Sequence, residues 1–232
     1  VTTARETSLL GGLLARGVVA EELFEDPPGL TPHPREAHLV EKAVDKRKRE
    51  FTSARHCARL AMGRLGLEPG PILRGEMGSP VWPGGVVGSL THCDGYRAAA
   101  VGYALQVRSV GIDAEPHEPL PDGVLKAVSI EAEREVLATR TDDEVQWDKL
   151  LFCAKEATYK AWYPLTGRWL GFEDAHITFE RDADSAGRST VTGTFRSRLL
   201  VPGDTTSGAP LTSFDGRWAV SDGLVVTAIT VF

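Results

Sequence analysis

Between Thr141 and Pro164 the chain reads as one continuous helix, and what that helix must pack against constrains the fold more than any other stretch. Thr141 followed by Glu144 has the spacing of a capping box, in which a hydroxyl and a carboxylate satisfy orphan N–H groups at a helix start. At about 100° per residue, Trp147, Leu150, Leu151, Ala154, Thr158, Ala161 and Trp162 share one face, which needs a sheet or a second helix to cover it. Lys149, Cys153, Glu156 and Lys160 gather roughly opposite, so Glu156 and Lys160 are neighbours directed away from the core stripe.

Upstream, Val110 to Glu115 reads as a strand, and its period of two places Gly111, Asp113 and Glu115 on one side. Two carboxylates from a strand end and Glu156 from the helix form the donor set that a hard, oxygen-seeking cation such as Mg²⁺ requires, and the adjacent lysines suit a phosphate. The same residues also fit an ordinary solvated face carrying an i,i+4 Glu–Lys pair.

With 232 residues and 42% hydrophobic content, the chain can bury a sizeable core as one domain or two small ones. A net charge of -6 argues against general nucleic-acid binding, so an anion site here is a local cluster and not a global field. Cys57, Cys93 and Cys153 are odd in number and widely spaced, which favours free thiols in a reducing cytoplasm. His56-Cys57 and His92-Cys93 lack a Cys-x-x-Cys companion, and structural zinc is not expected. Val1 to Glu25 carries apolar residues at Leu9 to Leu14 but neither a basic leader nor a spanning length, so no membrane association is expected.

From Arg35 to Leu65 the pattern predicts two helices bending near Thr52-Ser53, with Phe51, Ala54, Ala58, Ala61, Met62 and Leu65 as the core stripe of the second. Lys46, Arg47, Lys48, Arg49 and Arg55 make this the most basic part of the chain, either a solvated face or an anion site. Ser89-Leu90-Thr91-His92 leads through Asp94-Gly95 into Tyr96 to Tyr103, a hairpin pattern. The first half closes around Leu105 to Arg108, giving halves at 1–107 and 108–232. In the second, Ser129 is expected to cap a helix from Ile130 to Leu137, and Leu120, Val124 and Leu125 suit either core burial or docking of a partner helix. His176 to Phe179, Thr190 to Phe195, Arg217 to Val220 and Leu224 to Phe232 read as strands. Each half is thus helices on an antiparallel sheet, α+β by pattern.

Val110-Gly111-Ile112-Asp113 and Phe152-Cys153-x-Lys155-Glu156-Ala157-x-x-Lys160, in this order and separation, resemble the two signatures of the 4'-phosphopantetheinyl transferases, specifically the larger, surfactin-synthetase-type class. Ser89-Leu90-Thr91-His92 is similar to that family's Ser-His segment, and Arg74-Gly75-Glu76-Met77-Gly78-Ser79-Pro80 to its Lys-Gly-x-x-Gly-x-Pro segment. The resemblance implies a pseudo-twofold pair of α+β subdomains in a monomer, with coenzyme A and Mg²⁺ in the cleft between them. It implies transfer of phosphopantetheine from coenzyme A to a serine of an apo acyl or peptidyl carrier protein, releasing 3',5'-ADP. By position it assigns Arg47, Arg55, Arg74, Ser89 and His92 to coenzyme A, and Asp113, Glu115 and Glu156 to the metal. Glu156 would also take the serine proton, directly or through a water, and Lys160, with Lys155 as second choice, would stabilise the departing phosphate. Other readings are a different coenzyme A-dependent transferase, or a non-catalytic module that binds carriers.

Overall fold

The computed structural model describes residues 8–141 and 143–232. Its two halves follow one plan, a 20-residue helix laid on an antiparallel sheet. In the first half, strands β1 (Val18–Leu23), β4 (Val86–Cys93) and β5 (Tyr96–Tyr103) form a sheet in the order β1-β5-β4, covered by α1 (Asp45–Arg64). The short strands β2 (Leu73–Arg74) and β3 (Pro80–Val81) pair beside it. In the second half, β6 (Ser109–Pro116), β7 (Ala175–Arg181), β8 (Thr190–Leu199), β9 (Ser213–Ser221) and β10 (Leu224–Val231) form a sheet in the order β6-β10-β9-β8-β7. Helix α4 (Trp147–Thr166) lies across β6 and β10, with α2 (Val124–Val128) and α3 (Glu131–Ala138) at its flank. The chain is therefore α+β, a pseudo-twofold pair of subdomains.

Alternation along β5 shows how one strand serves two layers. Ala99 and Val101 pack under α1 with Cys57, Ala58, Ala61 and Met62, whereas Ala98 and Ala100 turn the other way. There they meet Val110, Ile112 and Ala114 of β6, so the sheets share a core, into which Leu10 and Leu13 are wedged. The halves also join edge to edge: the Ile112 and Ala114 N–H groups donate to the hydroxyls of Ser89 and Thr91 on β4, each at 3.1 Å. Beneath α4 a third cluster gathers Leu150, Leu151, Trp162, Trp218 and Ile229, and each fully buried aliphatic or aromatic side chain contributes about 1.5–3 kcal/mol.

Several boundaries differ from the sequence expectation. Helix α1 is unbroken, because the Thr52 hydroxyl donates back to the Lys48 carbonyl at 2.6 Å and keeps a cap-forming residue inside the helix. The bend lies earlier, between the 3₁₀ turn Ala37–Leu39 and Asp45. Helix α4 begins at Trp147, since Glu144 is bound to Arg181 and to the Gly187 N–H and caps nothing. It runs past Pro164 to Thr166, and Gly167, at φ 65°, ends it. Ser129 donates to the Leu125 carbonyl, and the start of α3 is capped by Glu133, which accepts from the Ile130 N–H at 2.9 Å. Strand β1 had no counterpart in the sequence expectation, whereas the Ser89–Tyr103 hairpin and the closing hairpin through Asp222-Gly223 are present as expected. All three cysteines are free and buried. Among the described residues no helix is long and apolar enough to cross a membrane.

Candidate active site

A cavity of about 640 Å³ opens where the halves meet. One wall is basic and comes from the first half: Arg47 and Arg55 from α1, Arg74 from β2 and His92 from β4. The other is acidic and comes from the second half: Asp113 from β6 and Glu156 from α4, with Lys160 between them.

The acidic wall depends on one close approach. Gly111 precedes Asp113 by one turn of the pleat, and a methyl group there would stand 2.1 Å from the Ala157 carbonyl oxygen and 2.7 Å from the Ala161 nitrogen. Only glycine lets α4 rest this close to β6, and that closeness brings Lys160 within 2.6 Å of Asp113 Oδ1 and 3.1 Å of the Ile112 carbonyl. Thr91 donates to the same Oδ1 at 3.0 Å. The other oxygen, Asp113 Oδ2, is buried with no partner, an unmade interaction that costs about 1–3 kcal/mol.

Charge crowding makes this wall electrostatically unsatisfied. Burial, and then the neighbouring Asp113 carboxylate, push Glu115 up to about 7; Lys149, 3.8 Å from Glu115 Oε2, opposes the shift without cancelling it. The same two causes raise Glu156, with Lys160 opposing. Burial disfavours the Lys160 ammonium, but Asp113 and Glu156 outweigh it and hold its pKa above the usual lysine value. Among the described residues no three His, Cys, Asp or Glu side chains stand grouped as a ready-made metal cage. The donors nevertheless suit a hard cation: carboxylate oxygens, one orphaned, and two acids whose ionisation is disfavoured by burial and by the Asp113 carboxylate.

The basic wall is satisfied by comparison. Arg55, 7% exposed, stacks its guanidinium 3.5 Å above the Phe51 ring and donates to the Ile72 carbonyl at 2.9 Å. Arg47 donates to His92 Nε2, and His92 Nδ1 lies 3.6 Å from Glu50 Oε2. Burial, then Arg47 and Lys160, lower the His92 pKa to about 4, so the imidazole is neutral at pH 7. Arg74 is exposed at the rim.

Two sequence assignments change. Lys155 does not reach the cavity: one residue before Glu156, it is turned about 100° around the helix and buried at 4% exposure. Its ammonium donates to Glu133 at 2.9 Å and to the carbonyls of Phe172 and Ala175. It is a latch between α4, α3 and the start of β7, and all three of its donors are engaged. Ser89 lines the wall but its hydroxyl accepts from Ile112. The face of α4 thought to look outward is also covered, with Cys153 fully buried against Val225 and Thr227. The sequence places Thr91, Phe51 and Lys149 on these elements but assigns none of them a role in the site. Thr91 follows Ser89 by two along a strand and Phe51 precedes Arg55 by four along a helix, so periodicity alone placed each beside an assigned residue.

Comparison with known proteins agrees with this architecture. Residues 35–102 match the 4'-phosphopantetheinyl transferase N-terminal domain, and residues 109–207 match the 4'-phosphopantetheinyl transferase superfamily. The chain is 61% identical to the 4'-phosphopantetheinyl transferase Npt of Nocardia iowensis, covering 94% of this chain and 97% of that protein. It belongs to the 4'-phosphopantetheinyl transferase superfamily. Identity is 57% with PptT of Mycobacterium tuberculosis, over 97% of this chain and 96% of that one, and 51% with Svp of Streptomyces mobaraensis, over 96% and 89%. The matched regions carry the two walls, with Arg47, Arg55, Arg74 and His92 in the first and Asp113, Glu156 and Lys160 in the second; Glu115 falls in the second region too but does not line the cavity. As members of this superfamily act, the chain is a transferase that modifies carrier proteins with coenzyme A as substrate.

Proposed function

We propose that the cavity holds coenzyme A across the junction, its phosphates on the basic wall and its pyrophosphate facing Asp113, Glu115 and Glu156, so that the 4'-phosphopantetheine arm passes to a serine hydroxyl of an apo carrier protein. The observation that carries this is the opposition of the two walls, four basic or imidazole side chains facing carboxylates that include an unpartnered buried oxygen. Arg47 and Arg55 offer forked donors that fit phosphate oxygens bidentately. Asp113, Glu115 and Glu156 would hold a Mg²⁺ ion, which supplies charge neutralisation at the pyrophosphate when bound.

The chain's own groups do the rest by position and charge, as phosphoryl-type displacement requires. Glu156, on the cavity wall with its pKa raised by burial and by Asp113, accepts the proton of the carrier serine. The serine oxygen forms its bond to the pantetheine-bearing phosphorus as the bridging P–O bond breaks, and 3',5'-ADP departs with the bonding pair. Lys160 remains protonated and stabilises the charge that grows on the leaving phosphate.

The division falls at residues 107 and 108, the first unit supplying coenzyme A contacts and the second the metal and proton-transfer groups. The two halves in one chain fit the larger, surfactin-synthetase-type class acting as a monomer, and the buried free thiols fit a reducing cytoplasm. Incubating the chain with apo carrier, coenzyme A and Mg²⁺ and reading intact mass tests the activity. Gain of the whole phosphopantetheine mass with release of 3',5'-ADP is expected. Transfer of an acyl group alone, or binding without a mass change, would overturn it.

A further inference from the structure

A carboxylate outside the cavity stands behind its basic wall. Glu36 is fully buried and does not line the cavity. Its Oε1 accepts from Arg59 at 2.9 Å and from the Ile72 N–H at 2.7 Å, and its Oε2 accepts from Arg59 at 3.1 Å. The carbonyl of that same Ile72 accepts from Arg55 Nε at 2.9 Å. A continuous path therefore runs from the Glu36 carboxylate through one residue's backbone to the guanidinium that faces the cavity.

The path meets an electrostatic need. Burial lowers the Arg55 pKa to about 10, and Arg47, Arg59 and Arg74 push in the same direction, while Glu36 opposes them. Like charges so close splay apart or recruit anions unless a fixed counter-charge holds them. Glu36 supplies that charge from inside the protein, where it does not compete for the face that meets substrate. Arg55 is further held flat by Phe51, so its remaining freedom is rotation about the Nε bond that Ile72 restrains.

We propose that Glu36 is a positioning residue for coenzyme A, acting through the Ile72 backbone and its own charge to hold the Arg55 guanidinium in the posture that receives a substrate phosphate. The proposal rests on the placement of coenzyme A in this cavity. Glu36 itself touches neither substrate nor reacting atoms.

A merely structural Glu36 would lower the melting temperature and leave its effect on coenzyme A independent of Arg55. The test is titration calorimetry of the full chain with coenzyme A for wild type, Glu36→Gln, Arg55→Ala and the double variant, beside melting curves and steady-state rates. Glu36→Gln is expected to weaken coenzyme A and raise its KM about tenfold with kcat within about twofold of wild type, and the double variant to bind within about twofold of Arg55→Ala alone. Unchanged affinity in Glu36→Gln, or losses that multiply in full in the double variant, would overturn the proposal. If Glu36→Gln does not melt cooperatively, the paired swap Glu36→Leu with Arg59→Leu leaves no lone buried charge and replaces it in the cycle, where the same two outcomes decide. Wild-type affinity in Arg55→Ala would overturn the placement of coenzyme A itself, a failure distinct from one confined to Glu36.

Discussion

The two walls of the cleft are built to opposite standards. On the first-half wall Arg55 is stacked, bonded and backed by a buried carboxylate, and Arg47 is bonded to a neutral His92. On the second-half wall Asp113 keeps a buried oxygen without a partner, and burial followed by the Asp113 carboxylate raises the pKa values of Glu156 on the wall and of Glu115 behind it. Under the proposed function the difference separates recognition from chemistry. A wall that must bind one ligand shape gains from being preformed, whereas a wall that must stabilise a charge arriving later keeps its own charges unsatisfied until then.

The sharpest way to break this contrast is Glu156→Gln. It keeps the shape and removes the proposed proton acceptor, so single-turnover rates with saturating carrier should fall about 10²- to 10⁴-fold. Because the raised pKa means that ionised Glu156 costs folding energy, the melting temperature of the metal-free protein should hold or rise. Near-normal turnover would remove Glu156 from the chemistry.

Asp113→Asn comes next. It takes the counter-charge from Lys160, a cost of about 1–3 kcal/mol in a melting curve, and it should also flatten the dependence of rate on Mg²⁺ concentration. A variant as Mg²⁺-responsive as wild type would mean that the cation sits elsewhere.

On the other wall, Arg47→Ala should raise the coenzyme A KM about tenfold with little change in kcat, since a charge-assisted hydrogen bond is worth about 1.5–3 kcal/mol. A fall in kcat instead would erase the division of labour between the walls.

The smallest effect concerns pH. His92, lowered to about 4, contributes stability that is present above the usual imidazole range near 6.5 and lost as pH falls towards 4. Glu115 has the opposite sign: raised to about 7, it penalises the fold progressively as pH climbs from the usual carboxylate range to 7. In the proposed site Mg²⁺ would bind the ionised form, so the gain in melting temperature on adding Mg²⁺ should grow between pH 5 and pH 7.5, by a few degrees. A gain independent of pH would separate the cation from Glu115.

How much of this was written in the sequence depends on whether a residue's neighbours are local. The face shared by Gly111, Asp113 and Glu115 follows from strand periodicity, and the i,i+4 relation of Glu156 and Lys160 from helix periodicity, so both survive intact. Lys155 lies in the same signature, but its partners come from α3 and β7, and no spacing within α4 points to them. Cys153 misled because α4 is covered on two sides, so polarity on one face does not imply solvent. Strand β1 was hidden for a related reason: only Ala20 in it is buried, its acids stay at the edge, and Glu22 accepts from Tyr96 and the Leu10 N–H. Thr52 imitated a helix start because the same hydroxyl that caps a terminus can bond back one turn inside a helix.

The hydroxyls of Ser89 and Thr91 have a consequence beyond joining the halves. Strand β6 is the end of its sheet, and an open strand end is a template on which a second copy can add its own backbone, the first step towards swapped or aggregated chains. Here the outward N–H groups of Ile112 and Ala114 are already taken by side chains of the same molecule. The strand that carries Asp113 thus offers a neighbouring copy no ladder to climb at these positions, and side chains of the same molecule guard it against cross-chain pairing.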